Sequence, residues 1–298
     1  MTLHLSALEY VHGERHSIAA LSGELNAELL GPDTGLSYYR SSDQEIWQLA
    51  AAAGTRTVGA SAEPPDLVVY VTENDHQSSD SMTCLVRALG LPAAHYLRVS
   101  GHACGNLGPA LLLAQQALAS GEHRRILLLL ADRVLNGDRN QTNGLSVVSD
   151  GAVACLVTDE PTDFDGARFA VHGVTAVTNL EAADPGQSGE GVLATVALSV
   201  AGITAITRQT EREVHDFDHL VLPNYRMIIQ QFLCSGMGAS TEQLLVGPLS
   251  EYGHCFSADV LVTLAHCASA GQIQCGDHVL VSANGPTSWT SIAVERIG

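Results

Sequence analysis

The chain has 298 residues, enough for one large domain or two fused halves around a sizeable core. Apolar residues make up 46% and charged residues 15%, which excludes a disordered chain. Acidic residues outnumber basic ones 32 to 14, and a formal charge of −18 excludes nucleic acid and anionic membrane as partners.

In chain order, the first sixty residues are mixed, and 40–54 (RSSDQEIWQLAAAAG) is their clearest element. It reads as a helix with Ser42 or Asp43 as N-cap and Glu45 in the first turn. Residues 66–72 form a β-branched strand, 80–90 a helix ending at Gly90 before Pro92, and 95–101 a second strand. Cys104 follows, between Ala103 and Gly105, and a helical run extends from Leu107 to about Ser120. Strand 126–132 is apolar on both faces, as inside a parallel sheet. Residues 145–159 read as two strands meeting at a tight Asp150–Gly151 turn.

After a polar break at 159–167 the alternation repeats. It gives strand 169–177, a long helix near 191–212, strand 219–224, helix 226–233, strand 243–247 and a turn-and-helix over 251–269. An antiparallel pair, 278–285 and 289–297, closes the chain. The alternation predicts an α/β protein of two halves, 1–160 and 161–298. The apolar stretch 191–206 is too short for a comfortable membrane span and reads as a buried helix. Seven cysteines, an odd number in mostly apolar segments, with no signal peptide at the start, predict reduced thiols and a cytoplasmic location.

In open α/β sheets chemistry gathers at the carboxyl ends of strands. Cys104, Asn224 and His254 lie at strand-to-helix turns and Asn284 just past a terminal strand, so four polar turns can face one cleft. A thiol at a helix N-terminus has its thiolate favoured by the helix dipole, and its own backbone N–H is a natural oxyanion donor. The same residue read alone is equally a small core hydrophobe.

The order of five segments resembles the ketoacyl synthase III branch of the thiolase-fold condensing enzymes. Residues 98–118 (RVSGHACGNLGPALLLAQQAL) look like the cysteine-nucleophile segment, and 148–157 (VSDGAVACLV) like the family's Gly-Asp-Gly-Ala strand pair. Residues 216–228 (DFDHLVLPNYRMI) occupy the place of the Pro-His-Gln-Ala-Asn motif, 252–259 (YGHCFSAD) that of Tyr-Gly-Asn-Thr-Ser, and 271–297 match the closing hairpin. The resemblance implies a thiolase-like five-layer αβαβα sandwich of two pseudo-duplicated halves, working as a homodimer without a tightly bound cofactor. It implies an acyltransferase taking an acyl thioester of coenzyme A or acyl carrier protein, with Cys104 S-acylated and the acyl group passed to a carbon, oxygen or nitrogen nucleophile; the missing motif histidine points to specialised, polyketide- or fatty-acid-like metabolism.

The departures define the expectation further. Asn224 or, with a one-residue shift, Pro223 stands at the family's histidine position and His254 at its asparagine position. A Cys104–His254 pair can serve as nucleophile and base, and Asn224 can donate to a carbonyl. Asp259 either orients His254 or is a capping or solvated group. The second oxyanion amide falls on Gly285 or, with a one-residue shift, on Pro286, which has no N–H. Every cation is an arginine, leaving little to dock an acidic carrier protein, and Arg133 and Arg139 either reach a phosphate or are solvated loop charges. The two His-Cys pairs, 254–255 and 266–267, match no zinc spacing, so no metal is expected. His102 lines the cleft or packs, and His76 reads as loop or interface. Gly101, Gly105 and Gly108 lack a phosphate-binding fingerprint. A non-catalytic partner of an active ketosynthase and a thioester hydrolase are the alternative readings.

Overall fold

A computed structural model describes residues 2–21, 23–75, 80–141, 144–180 and 190–298, with side chains of the helix beginning at Glu190 described from residue 195. His76 lies outside the described residues. The strands and helices of the first half are β1 (Leu3–His12), β2 (Glu14–Ser17), β3 (Tyr38–Ser41), α1 (Ile46–Gly59), β4 (Leu67–Val71), α2 (Ser81–Ala88), β5 (His95–Val99), α3 (Leu107–Ala119), β6 (Arg125–Asp132) and β7 (Gly151–Thr158). There follow β8 (Phe169–Thr178), α4 (Glu190–Thr210), β9 (His219–Val221), α5 (Met227–Gly236), β10 (Leu244–Leu245), α6 (Leu249–Tyr252), α7 (Asp259–Ser269), β11 (His278–Gly285) and β12 (Ser288–Arg296).

Ten strands hydrogen-bond in the order β10-β9-β11-β12-β8-β1-β7-β6-β4-β5. Cut between β8 and β1, each group of five has the same order, third-second-fourth-fifth-first in its own sequence. The senses repeat too: in each group the second strand runs parallel to the third and fourth, and the fifth antiparallel to the fourth and first. The groups join through a short antiparallel contact, Leu3–Leu5 against Phe169–Val171.

Strand periodicity sorts the side chains into layers. In β4, Leu67, Val69 and Val71 enter a central core with α3 and α7, while Val68 and Tyr70 pack under α1 and α2. In the second group Val279, Val281 and Ile292 join the central core, while Leu280, Trp289 and Ala293 pack with Leu198, Ile206 and Leu233 of α4 and α5. The layers are thus helices, sheet, the α3/α7 pair, sheet, helices: the thiolase-like αβαβα sandwich.

Local chemistry accounts for two departures from the sequence reading. Glu45, not Ser42 or Asp43, caps α1, through a capping box with Gln48. Residues 145–150 are not the first arm of a hairpin at Asp150. Asp150 is buried and binds Arg139 at 2.6 Å, while its carboxylate also accepts from Ser42 N and Val134 N. It anchors three loop segments from inside, and the chain enters β7 only after it.

Candidate active site

Cys104 sits in a single 3-10 turn, Ala103–Gly105, immediately before α3. Ala103 adopts a left-handed φ of +50°, unusual for a residue with a Cβ. Pro109, in the first turn of α3, removes an N–H that has no helical acceptor there. The turn packs flat against the closing hairpin. A Cβ on Gly105 would lie 2.6 Å from Ser288 Oγ and 3.0 Å from Gly285 N, which places the Gly285 amide beside the Cys104 turn.

His254 arrives from the other half. Its N–H donates to Val147 O at 2.8 Å and its carbonyl accepts from Ser149 N at 2.8 Å, a one-residue parallel bridge to the segment before β7. Gly253 permits this approach: at φ +54°, any Cβ there would stand 2.4 Å from Val147 O. The imidazole Nε2 lies 3.0 Å from Cys104 Sγ, and Nδ1 lies 2.5 Å from Asp259 Oδ2. The sulfur, ring and carboxylate form one continuous chain, and all three residues are buried.

Asp259, the first residue of α7, is neither solvated nor a simple cap. Besides His254 it accepts from Asn224 N at 2.8 Å and, through a short bond, from Cys255 N. Burial acts against a charge on His254, but the Asp259 carboxylate and the Cys104 sulfur outweigh it and hold its pKa well above the ordinary imidazole value. Burial alone pushes two further thiols up, Cys155 to about 12 and Cys267 to about 11.

Asn224 is fixed by its backbone, through Asp259 and through Ser146 Oγ, which donates to its carbonyl at 2.6 Å. Its side-chain Nδ2 is buried with no partner among the described residues, an unspent donor on a residue whose backbone is bound by the Asp259 carboxylate. Two further residues join the site. The Tyr225 ring is tilted against that of His254 with centroids 5.5 Å apart, and its hydroxyl donates to Asn284 Oδ1 at 3.4 Å. Burial, then the nearby Cys104 and Asp259, raise the Tyr225 pKa well above its usual value, so the hydroxyl keeps its proton. Its place directly after Asn224 was the only sequence signal for it.

Other expectations are corrected. Arg139 is buried on Asp150 and is not a solvated loop charge, while Arg133, half-buried, donates to Ser42 O, and Arg40 is held by the carbonyl and carboxylate of Glu251. His102 is half-buried, its N–H bound to Asn106 Oδ1 and its carbonyl against Gly285. Gly105 and Gly108 serve close packing on β12. Of the His-Cys pairs, His254 lies between Cys104 and Asp259. Elsewhere, His172, His278 and Glu295 bring ligand atoms within 4.8 Å of one another, but His172 binds Glu295 and the Arg212 guanidinium sits on His278 Nε2.

The layered fold and a cysteine at a strand-to-helix turn define a thiolase-fold protein. ChlB3, an acyltransferase, superposes over 100% of this chain and 98% of its own with a TM-score of 0.86 at 19% identity. The 3-oxoacyl-(acyl carrier protein) synthase III of Pseudomonas aeruginosa PAO1 does so over 100% and 99% with a TM-score of 0.83 at 18% identity. Residues 207–296 match the family model of the 3-oxoacyl-[acyl-carrier-protein] synthase III C-terminal region. The β-ketoacyl-[acyl-carrier-protein] synthase III of Aquifex aeolicus (strain VF5) is 22% identical over 254 residues, 83% of this chain and 82% of that protein. The chain thus shares the thiolase-like fold of these proteins over its full length, and its last third is similar to the C-terminal region of 3-oxoacyl-[acyl-carrier-protein] synthase III.

Proposed function

We propose that this protein transfers an acyl group from a thioester of coenzyme A or acyl carrier protein, through an acyl-S-Cys104 intermediate, to an oxygen or nitrogen nucleophile. The observation that carries the reading is the buried Cys104–His254–Asp259 chain. Cys104 Sγ attacks the thioester carbonyl, and the backbone N–H groups of Cys104 and Gly285 receive the oxyanion. The C–S bond to the donor breaks, and the proton held on His254 Nε2 goes to the departing thiolate. The acceptor then adds to the acyl-enzyme, gives its proton to His254, and that proton returns to sulfur as the Cys104–acyl bond breaks. Asp259 fixes the ring and balances its charge throughout. Asn224 supplies a donor to the substrate carbonyl.

Transfer to oxygen or nitrogen is favoured over decarboxylative condensation for a physical reason. A hydroxyl or amine must lose a proton as it attacks, which requires a base. Decarboxylation instead calls for donors that stabilise an enolate. A histidine backed by a carboxylate is built for the first task. ChlB3, which shares the fold, is an acyltransferase. A carbon acceptor is the remaining version, and a thioester hydrolase would differ only in taking water. The complete triad argues against a non-catalytic partner subunit. We further propose the halves 1–160 and 161–298 as the two repeats, a homodimer, no tightly bound cofactor, and a role in specialised, polyketide-like metabolism.

A turnover assay separates these versions. Acyl thioesters are supplied with either malonyl thioester or small alcohols and amines, and thiol release, carbon dioxide and ester or amide product are measured. Thiol release coupled to ester or amide formation, without carbon dioxide, is expected. Stoichiometric carbon dioxide with a β-keto product would overturn the preference, and thiol release without any acceptor product would make the protein a hydrolase.

A further inference from the structure

Glu73 lies two residues beyond β4. Its Oε1 accepts three hydrogen bonds from the turn that carries Cys104: from Gly101 N at 2.6 Å, Ala103 N at 2.8 Å and Asn106 Nδ2 at 2.6 Å. Asn106 closes the turn from within, donating to Ala103 O at 2.7 Å and accepting from His102 N at 3.1 Å. The residue so gripped, Ala103, is the one at φ +50°, directly before the nucleophile. A left-handed non-glycine residue persists only where its surroundings over-determine it, and bonds to a carboxylate are the strong kind.

The grip is braced from behind. Asp132, fully buried at the end of β6, accepts from Glu73 N at 3.0 Å, Asn74 N at 2.9 Å and Thr72 Oγ1 at 2.9 Å. A chain of polar contacts thus runs from the sheet through residues 72–74 into residues 101–106. We propose that Glu73 is a positioning residue: its side-chain oxygen holds Ala103 left-handed, so that Cys104 Sγ meets His254 Nε2. The proposal rests on reading Cys104 as the nucleophile.

Two conservative variants separate reach from charge. Glu73→Gln keeps the oxygen in place and removes the charge, while Glu73→Asp keeps the charge and withdraws the oxygen by one methylene. The readouts are single-turnover acylation, KM, and alkylation of the Cys104 peptide by iodoacetamide, with the melting midpoint as a control. Glu73→Gln is expected within about threefold of wild type on both rates. Glu73→Asp is expected to slow both by about tenfold or more with KM unchanged, since a misplacement near 1 Å is worth up to about 100-fold. Glu73→Asp equal to or faster than Glu73→Gln, or both at the wild-type rate, would overturn the proposal. If wild type is alkylated but takes no acyl group, the nucleophile reading fails, while the ranking of alkylation rates still decides the positioning role.

Discussion

Asp259 holds His254, Asn224 N and Cys255 N on one buried carboxylate, so its chemistry and its structural role can be separated by variant. Asp259→Asn keeps the shape and an acceptor oxygen but no longer balances an imidazolium. Acylation in single turnover is expected to fall by about 10²-fold or more. A fall of less than threefold would remove Asp259 from the mechanism. Asn224 offers the converse. Its Nδ2 is buried without a partner among the described residues, so Asn224→Ala relieves an unspent donor and leaves only a small cavity. Its stability in urea is expected within about 1 kcal/mol of wild type, while acyl transfer falls by about 10²-fold, the usual cost of one carbonyl donor. Loss of stability without loss of rate would make Asn224 a structural residue.

At the scale of elements, the position of Cys104 is set by how closely α3 lies on β12. A Cβ on Gly108 would fall 2.1 Å from Thr290 Oγ1, so Gly108→Ala must push the helix off the strand. Overpacking of this kind costs about 1–3 kcal/mol, and chemical denaturation should show it together with slower acylation. Unchanged values for both would mean that the contact is soft. The same elements show what was legible in the sequence. The uninterrupted apolar runs of β4, β6 and β11 and the helical spacing of α3 and α7 gave the alternation, and through it the repeat. β1 was not legible although it lies in mid-sheet. Leu3 and Leu5 face the central core, a bulge at left-handed Ala7 adds one residue, and Leu8 and Tyr10 then face the same core. The bulge breaks the period of two on which a strand reading depends. Motif order singled out Cys104 and His254, whose side chains lie 3.0 Å apart, and left Asp259 as either an orienting or a capping group; its carboxylate lies on His254 Nδ1. Glu73 was not singled out, because its bonds reach across about thirty residues to backbone groups that leave no pattern.

At the scale of the whole molecule, His12 carries acid sensitivity. Burial, then the positive Arg40 and Arg56, lower the His12 pKa to about 3, and its ring stacks on Tyr252 with centroids 3.7 Å apart. The unfolded chain binds this proton near the ordinary value of 6.5, so the unfolded state is the more protonated between there and about 3. His12 therefore contributes stability that is present above pH 6.5 and declines as pH falls toward 3. His254, with its pKa raised, contributes in the opposite sense: its share is full below 6.5 and is lost as pH rises through the folded value. The melting midpoint of His12→Phe should fall less than that of wild type between pH 6.5 and 4, and equal slopes would contradict this account. No described helix is long and apolar enough to cross a membrane. The β5 edge of the ten-stranded sheet has one strand neighbour, and Tyr96 on it is 51% exposed. Such an edge invites pairing. Light scattering should give twice the chain mass for wild type and a shift toward the single-chain mass for Tyr96→Lys. A monomeric wild type would dismiss the homodimer.

The central claim is that Cys104, paired with His254 and Asp259, becomes acylated. Intact-protein mass spectrometry after incubation with a panel of acyl-coenzyme A and acyl-carrier-protein thioesters tests it most directly. The account predicts a mass gain of one acyl group on wild type, none on Cys104→Ala, and a strongly slowed gain on His254→Ala. A gain that persists in Cys104→Ala, or no gain from any thioester, would contradict it and return the partner-subunit reading to first place.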